Sequence, residues 1–157
     1  MTAGATTRDL HVIARVGSER FAFAVADVEE AIDAPHLEWV PAAPPGLAGQ
    51  MRHRARTLSA FDGGWAFGVA RDGRSTTALV LRTGAQRAVL VVDDVDDLTM
   101  LDLTTLRPVP AGTDADGVLA GVCVGARDDG HLVNLVRVAS LLDKADATGA
   151  TTQEIAE

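Results

Sequence analysis

The apolar runs of this chain are short, rich in β-branched residues, and broken every few positions by glycine, proline or aspartate. That spacing leaves little room for amphipathic helices and predicts many short strands joined by tight turns. Residues 10–16 and 21–25, parted by Gly17-Ser18, read as a hairpin. Residues 76–81 and 88–92 form the clearest strand pair, with Thr83-Gly84-Ala85-Gln86 between them. Residues 118–124 and 132–136 form another, around Asp128-Asp129-Gly130, where an Asp-Gly step supplies the positive φ that tight hairpins require. Alternation within these runs is imperfect, which predicts strands buried on both faces.

The remaining segments are less regular. Asp27-Val28-Glu29-Glu30-Ala31-Ile32 reads either as a capped helix start or as a turn entering a strand. Pro41, Pro44 and Pro45 then work against regular structure, because each fixes φ and lacks an N–H donor. Residues 49–61 read as mostly extended, Gly63-Gly64 and Asp72-Gly73 as loops, and residues 136–142 as compatible with a short helix. About nine or ten closely spaced strands argue for an all-β barrel or sandwich. The expected divisions are a disordered arm at 1–9, a folded unit at 10–143 and a flexible tail at 144–157.

The 157 residues suffice for a core without staples, and Cys123, the sole cysteine, excludes an internal disulfide and suits a reducing compartment. The first nine residues lack a basic segment followed by an apolar run, and no apolar stretch reaches membrane-spanning length. A cytoplasmic protein without membrane insertion is expected. With 22 acidic against 14 basic residues the net charge is −8, a field that repels nucleic acid and anionic membranes.

Chemistry-bearing residues are scattered. His11, His36, His53 and His131 include no pair at i, i+4, so the usual signature of a metal site is lacking. Asp93, Asp94, Asp96 and Asp97 are dense in carboxylates but match no calcium loop, and solvation at a strand end is the expected role. No glycine-rich phosphate loop follows a strand, and no acid, base and nucleophile cluster. No catalytic residue, metal or cofactor is therefore expected. Cys123 reads as a buried, inert thiol. Arg52, Arg54 and Arg56 would share one face of an uninterrupted strand, leaving open an anionic contact or a solvated face. Trp39 and Trp65 suit an interface anchor or core packing equally.

The order of these features resembles the CheW-like domain. Residues 25–32 (Val-Ala-Asp-Val-Glu-Glu-Ala-Ile) are similar to its D-x-V-x-E-V segment, and residues 40–45 resemble its proline step. Residues 49–63 align without a gap to its G-V-I-N-L-R-G-x-V-x-P-V-x-D-L signature, so that Gly49, Arg54 and Asp62 coincide with its glycine, arginine and aspartate. Arg52, His53, Ala55 and Ser59 depart from its asparagine, leucine, turn glycine and proline. Val91-Val92-Asp93-Asp94-Val95 resembles its V-D-E-V step, and residues 119–122 and 132–142 resemble its closing hairpin and helix.

The resemblance implies two intertwined five-stranded SH3-like β-barrels with short helical segments. It implies a non-enzymatic adaptor joining the cytoplasmic tip of a chemoreceptor to the regulatory domain of a CheA-type histidine kinase. Val28, Glu30 and Arg54 would face the receptor; Gly49 and Asp62 would be structural. The family turn after the matching arginine would break the arginine face. The rivals are a small β-barrel enzyme using a flavin or nucleotide, and a diverged barrel that only occupies a partner.

Overall fold

The computed structural model describes residues 8–110, 117–125 and 131–147. Among these residues ten strands form two five-stranded sheets. The first takes β1 (Arg8–Val16), β2 (Glu19–Ala24), β8 (Asp94–Asp102), β9 (Leu119–Val124) and β10 (Leu132–Val136), in the order β8-β1-β2-β10-β9. The second takes β3 (Val28–Asp33), β4 (Leu47–His53), β5 (Arg56–Asp62), β6 (Thr77–Thr83) and β7 (Gln86–Val92), in the order β3-β6-β7-β5-β4. The chain begins in one sheet, builds the whole of the other, and returns. Helix α2 (Val138–Ala147) then crosses back to pack on β6 and β7. This is the intertwined two-unit, mostly β architecture expected from the sequence. The edge strands β8 and β9 meet at a bridge between Leu101 and Gly125.

Apolar residues on both faces of the strands explain the imperfect alternation. Along β6, Leu79 and Leu81 face a core between the sheets, while Ala78 and Val80 face a second core inside the second sheet. Along β7, Ala88, Leu90 and Val92 join the first of these cores, and Val89 and Val91 the other. In the first sheet Val12, Ala14, Phe21 and Phe23 enter the shared core, while Ile13, Ala22, Cys123 and Val133 line a third. Burial pushes the Cys123 thiol up, as an inert core thiol requires. Consecutive residues thus bury on opposite sides, and the strand reads as a continuous apolar run.

Five features differ from the sequence expectations. β8 was not anticipated as a strand, because its aspartates obscure its alternation. Gly63-Gly64, expected as a loop, opens helix α1 (Gly63–Phe67), and the Asp62 carboxylate caps it by accepting from Gly64 N at 2.6 Å and Trp65 N at 3.3 Å. Helix α2 runs past the expected start of the tail, with Ala145 buried and Lys144 Nζ donating to the Ala66 carbonyl at 3.1 Å while lying 4.5 Å from the Trp65 ring centroid. β1 likewise begins at Arg8, inside the expected arm. The turn at 128–130, residues 1–7 and residues 148–157 lie outside the described residues.

The fifth difference is Asp93, expected to be solvated, which is fully buried where β7 passes into β8. It accepts hydrogen bonds from the N–H groups of Gly17 (2.7 Å), Asp72 (2.9 Å) and Gly73 (3.1 Å) and from Arg71 Nη1 (3.2 Å). Arg71 Nε also donates to Asp62 at 3.1 Å, and Arg15 Nη1 donates to Asp72 at 2.6 Å. One carboxylate thereby joins the β1–β2 turn of the first sheet to the loop before β6 of the second. Burial pushes the Asp93 carboxyl up, but the backbone donors from Gly17, Asp72 and Gly73 more than reverse this and hold it below the usual carboxylate range.

Candidate partner-binding site

The expected receptor-facing residues lie on β3 and at the tip of the β4–β5 hairpin. β4 and β5 pair in register from Gly49 with Ala60 to His53 with Arg56, leaving Arg54 and Ala55 as a two-residue turn. Both have positive φ, 52° and 67°, the geometry of a hairpin turn that normally takes Asn-Gly or Gly. The turn splits the arginine series. Arg52 pairs with Thr57, and Arg56 pairs with His53 on the other face, so the three arginines surround the tip instead of sharing a face. Gly49 lies at a bulge in β4 with φ of 155°, and a Cβ there would come within 2.7 Å of the Glu38 carbonyl.

On β3 a bulge between Val28 and Glu30 changes which face each presents. Val28 pairs with Leu81 and packs against the shared core. Glu30 pairs with Val80 and points toward the inner face of the second sheet. The structure therefore brings Glu30 and Arg54 together and leaves Val28 on the other side of the strand, partly buried. Arg54 Nη2 is 4.0 Å from Glu30 Oε1, with the arginine 66% exposed.

His53 comes between them. Its ring is buried beside Met51, and Nε2 lies 2.8 Å from the same Glu30 oxygen. A carboxylate only accepts, so Nε2 carries the proton and Nδ1 is left facing the interior. Next to it the bulged Glu29 accepts from Arg87 Nη2 at 2.7 Å, with Arg82 3.9 Å away. That hydrogen bond from Arg87 holds the Glu29 carboxyl below its ordinary range against the cost of desolvation. Among the described residues, three buried side-chain atoms have no hydrogen-bond partner: Glu29 Oε1, His53 Nδ1 and Arg87 Nε. All belong to this end of the second sheet.

The sequence singled out Glu30 and Arg54 through their alignment with a family pattern, and the structure places them 4.0 Å apart. Sequence reasoning missed Glu29, Arg87 and the role of His53, because nothing local connects residues 29, 53 and 87. It left the tryptophans open, and the structure separates them. Trp65 stacks on Phe61 with ring centroids 5.8 Å apart and packs against the shared core. Trp39 is 82% exposed. Among the described residues no group of three or more His, Cys, Asp or Glu is arranged to hold a metal ion, and no helix is long and apolar enough to cross a membrane.

A family model for the CheW-like domain matches residues 11–146. The chain belongs to the CheW-like domain family. Among solved structures it is similar to the crystal structure of the scaffolding protein TtCheW from Thermoanaerobacter tengcongensis, with a TM-score of 0.70 and 20% identity over 82% of this chain and 88% of that one. Identity this low supports the shared fold. No curated protein sequence matches the chain. Within this CheW-like domain, three positions of the family signature have a physical role. Gly49 makes room for the Glu38 carbonyl, Arg54 opens the hairpin turn, and Asp62 caps α1.

Proposed function

We propose that this CheW-like domain is a non-enzymatic adaptor that couples a chemoreceptor to a CheA-type histidine kinase. The observation that carries the reading is the juxtaposition of Glu30 and Arg54 at one end of the second sheet of a CheW-like fold. An adaptor needs surfaces of defined charge and no reactive group, and charge placement confers specificity and encounter rate more than raw affinity. Arg54 is suited to this role because its planar guanidinium can donate two parallel hydrogen bonds to a partner carboxylate. Glu30 offers the opposite charge beside it.

Val28 contributes to this site from beneath by packing the strand that holds Glu30. The kinase regulatory domain would occupy a different surface, so that receptor and kinase bind together. The test is co-sedimentation of the purified chain with a receptor cytoplasmic fragment and the kinase, read by phosphorylation. Arg54→Ala is expected to weaken receptor association about tenfold or more while leaving the circular dichroism spectrum and melting temperature unchanged. Wild-type association by that variant would refute the assignment.

A further inference from the structure

We infer that His53 is a proton-operated switch beneath the Glu30–Arg54 surface: a proton taken up by its ring engages Glu29 and Glu30 together and leaves Arg54 free for an anionic partner. The effect on binding rests on the reading of that surface given above; the proton site stands or falls separately. His53 occupies the place of the leucine in the family signature, so an ionisable ring replaces an aliphatic side chain there.

Strand register sets what surrounds the ring. His53 alternates with Met51 on β4 and pairs with Arg56, which alternates with Leu58 on β5. Met51 and Leu58 line the inner core of the second sheet, so His53 and Arg56 face inward as well. Arg82 and Arg87 pair with each other, each two residues beyond Val80 or Val89 of that same core. From β3, Glu29 reaches Arg87 and Arg82, and Glu30 reaches His53. Among the described residues the charged groups at this end are therefore Glu29 and Glu30 of β3, Arg54 of the turn, Arg56 of β5, Arg82 of β6 and Arg87 of β7.

Two buried atoms without a partner are acceptors while the ring is neutral: His53 Nδ1 and Glu29 Oε1. Two acceptors cannot bond each other. The Glu29 carboxyl, held below its ordinary range chiefly by the Arg87 hydrogen bond, also responds to charge on His53, which puts the two side chains in electrostatic reach. A proton on Nδ1 makes it a donor, and Glu29 Oε1 is the buried acceptor that lacks one. The same proton turns the Nε2–H bond to Glu30 into a charge-assisted one. Burial and the four arginines oppose the added charge, and the two carboxylates favour it. Histidine is the side chain for which such neighbours decide the charge state within the physiological range. With Glu30 held by the imidazolium, Arg54, already 4.0 Å away, keeps its guanidinium for a partner carboxylate, and acidification tightens association.

The test follows the histidine rings of the full chain by NMR from about pH 8 to about pH 5.5, with His53 assigned by the resonance lost in His53→Leu. The His53 ring should pass from one protonated nitrogen to two. In Glu29→Gln the amide still accepts from Arg87 but donates to neutral Nδ1, so the ring should stay neutral to lower pH than in the wild type. A wild-type ring that never takes the second proton, or one that titrates identically in Glu29→Gln, overturns the inference. Affinity for a receptor cytoplasmic fragment should rise about two- to fivefold over the same interval, the scale of an exposed charge pair, and the rise should vanish in His53→Leu. An equal rise in His53→Leu assigns it to other groups and overturns the switch while the Glu30–Arg54 surface stands. Wild-type affinity of Arg54→Ala at both ends of the interval overturns that surface and the effect on the partner, whereas the ring titration by itself supports or overturns the proton site.

Discussion

Two clusters of buried charge sit in this molecule, and they are built differently. At the junction of the sheets Asp93 receives four donors for its two carboxylate oxygens, three of them backbone N–H groups. At the end of the second sheet Glu29, His53 and Arg87 are also buried or nearly so, yet each retains an atom without a partner. A fully satisfied buried network rigidifies the structure around it, whereas an unsatisfied polar atom costs free energy until a water or a partner group reaches it. The first cluster fixes how the two sheets lie against each other. The second leaves polar atoms unsatisfied beside the surface where Glu30 and Arg54 meet solvent, so it contributes less to stability for each group it buries.

Removing the satisfied carboxylate should have the largest effect. Asp93→Ala leaves Arg71 and three backbone donors without their acceptor, and loss of one member of a buried pair costs about 3–5 kcal/mol. Urea unfolding at neutral pH measures this, and a loss under about 1 kcal/mol would remove the contrast between the clusters. The pH dependence follows from the same hydrogen bonds. Because the folded state holds the Asp93 carboxyl below its ordinary range, the group adds stability above the unfolded value of about 3.9. That contribution disappears as pH falls from there through the folded pKa. Asp93→Asn should therefore flatten the decline in stability on the acid side. An unchanged acid profile would show that other carboxylates govern it.

How much of this was legible in the sequence depended on how local each constraint was. β6 and β7 could be read directly, since Leu79 and Val80, or Val89 and Leu90, bury on opposite faces and a glycine turn separates the runs. β8 could not, because Asp94 and Asp96 stand among its apolar positions and suggest a solvated end. The burial of Asp93 was invisible because its donors come from residues 17 and 71–73, which only the fold brings near. Glu30 and Arg54 were found from a family pattern, while the bulge that turns Val28 away from them is a property of strand pairing. The start of α1 was missed because two glycines disfavour a helix; the Asp62 cap and the close packing around Gly63 compensate.

The hairpin tip offers a smaller test, at the unsatisfied end of the comparison. Ala55 holds a φ of 67° with a side chain that disfavours it. An L-residue in this left-handed region carries a cost of roughly 1–2 kcal/mol that glycine avoids. Ala55→Gly restores the residue of the family signature. After allowance for the greater freedom of glycine in the unfolded chain, it should stabilise the protein by about 0.5–1 kcal/mol, measured by thermal or urea unfolding. Destabilisation by a similar amount would mean that the turn relaxes out of this geometry in solution.

The smallest effect on stability is expected from His53→Leu, which separates the two clusters most cleanly. The change removes one hydrogen bond to Glu30, whose side chain is 44% exposed and can turn to water. It also removes the unpartnered Nδ1 and places an aliphatic group beside Met51. The two terms offset, so stability should change by less than about 1 kcal/mol. The informative readout is the coupling between Glu30 and Arg54. In the wild type His53 holds the Glu30 oxygen at 2.8 Å and Arg54 stays at 4.0 Å, which predicts almost no coupling in a double-mutant cycle. With leucine in place the carboxylate is free to pair with the arginine, and the coupling should rise toward the roughly 0.5–1 kcal/mol of an exposed ion pair. A loss of 2 kcal/mol or more from His53→Leu would place its hydrogen bond in the same class as those of Asp93, and the distinction between a satisfied and an unsatisfied cluster would fail.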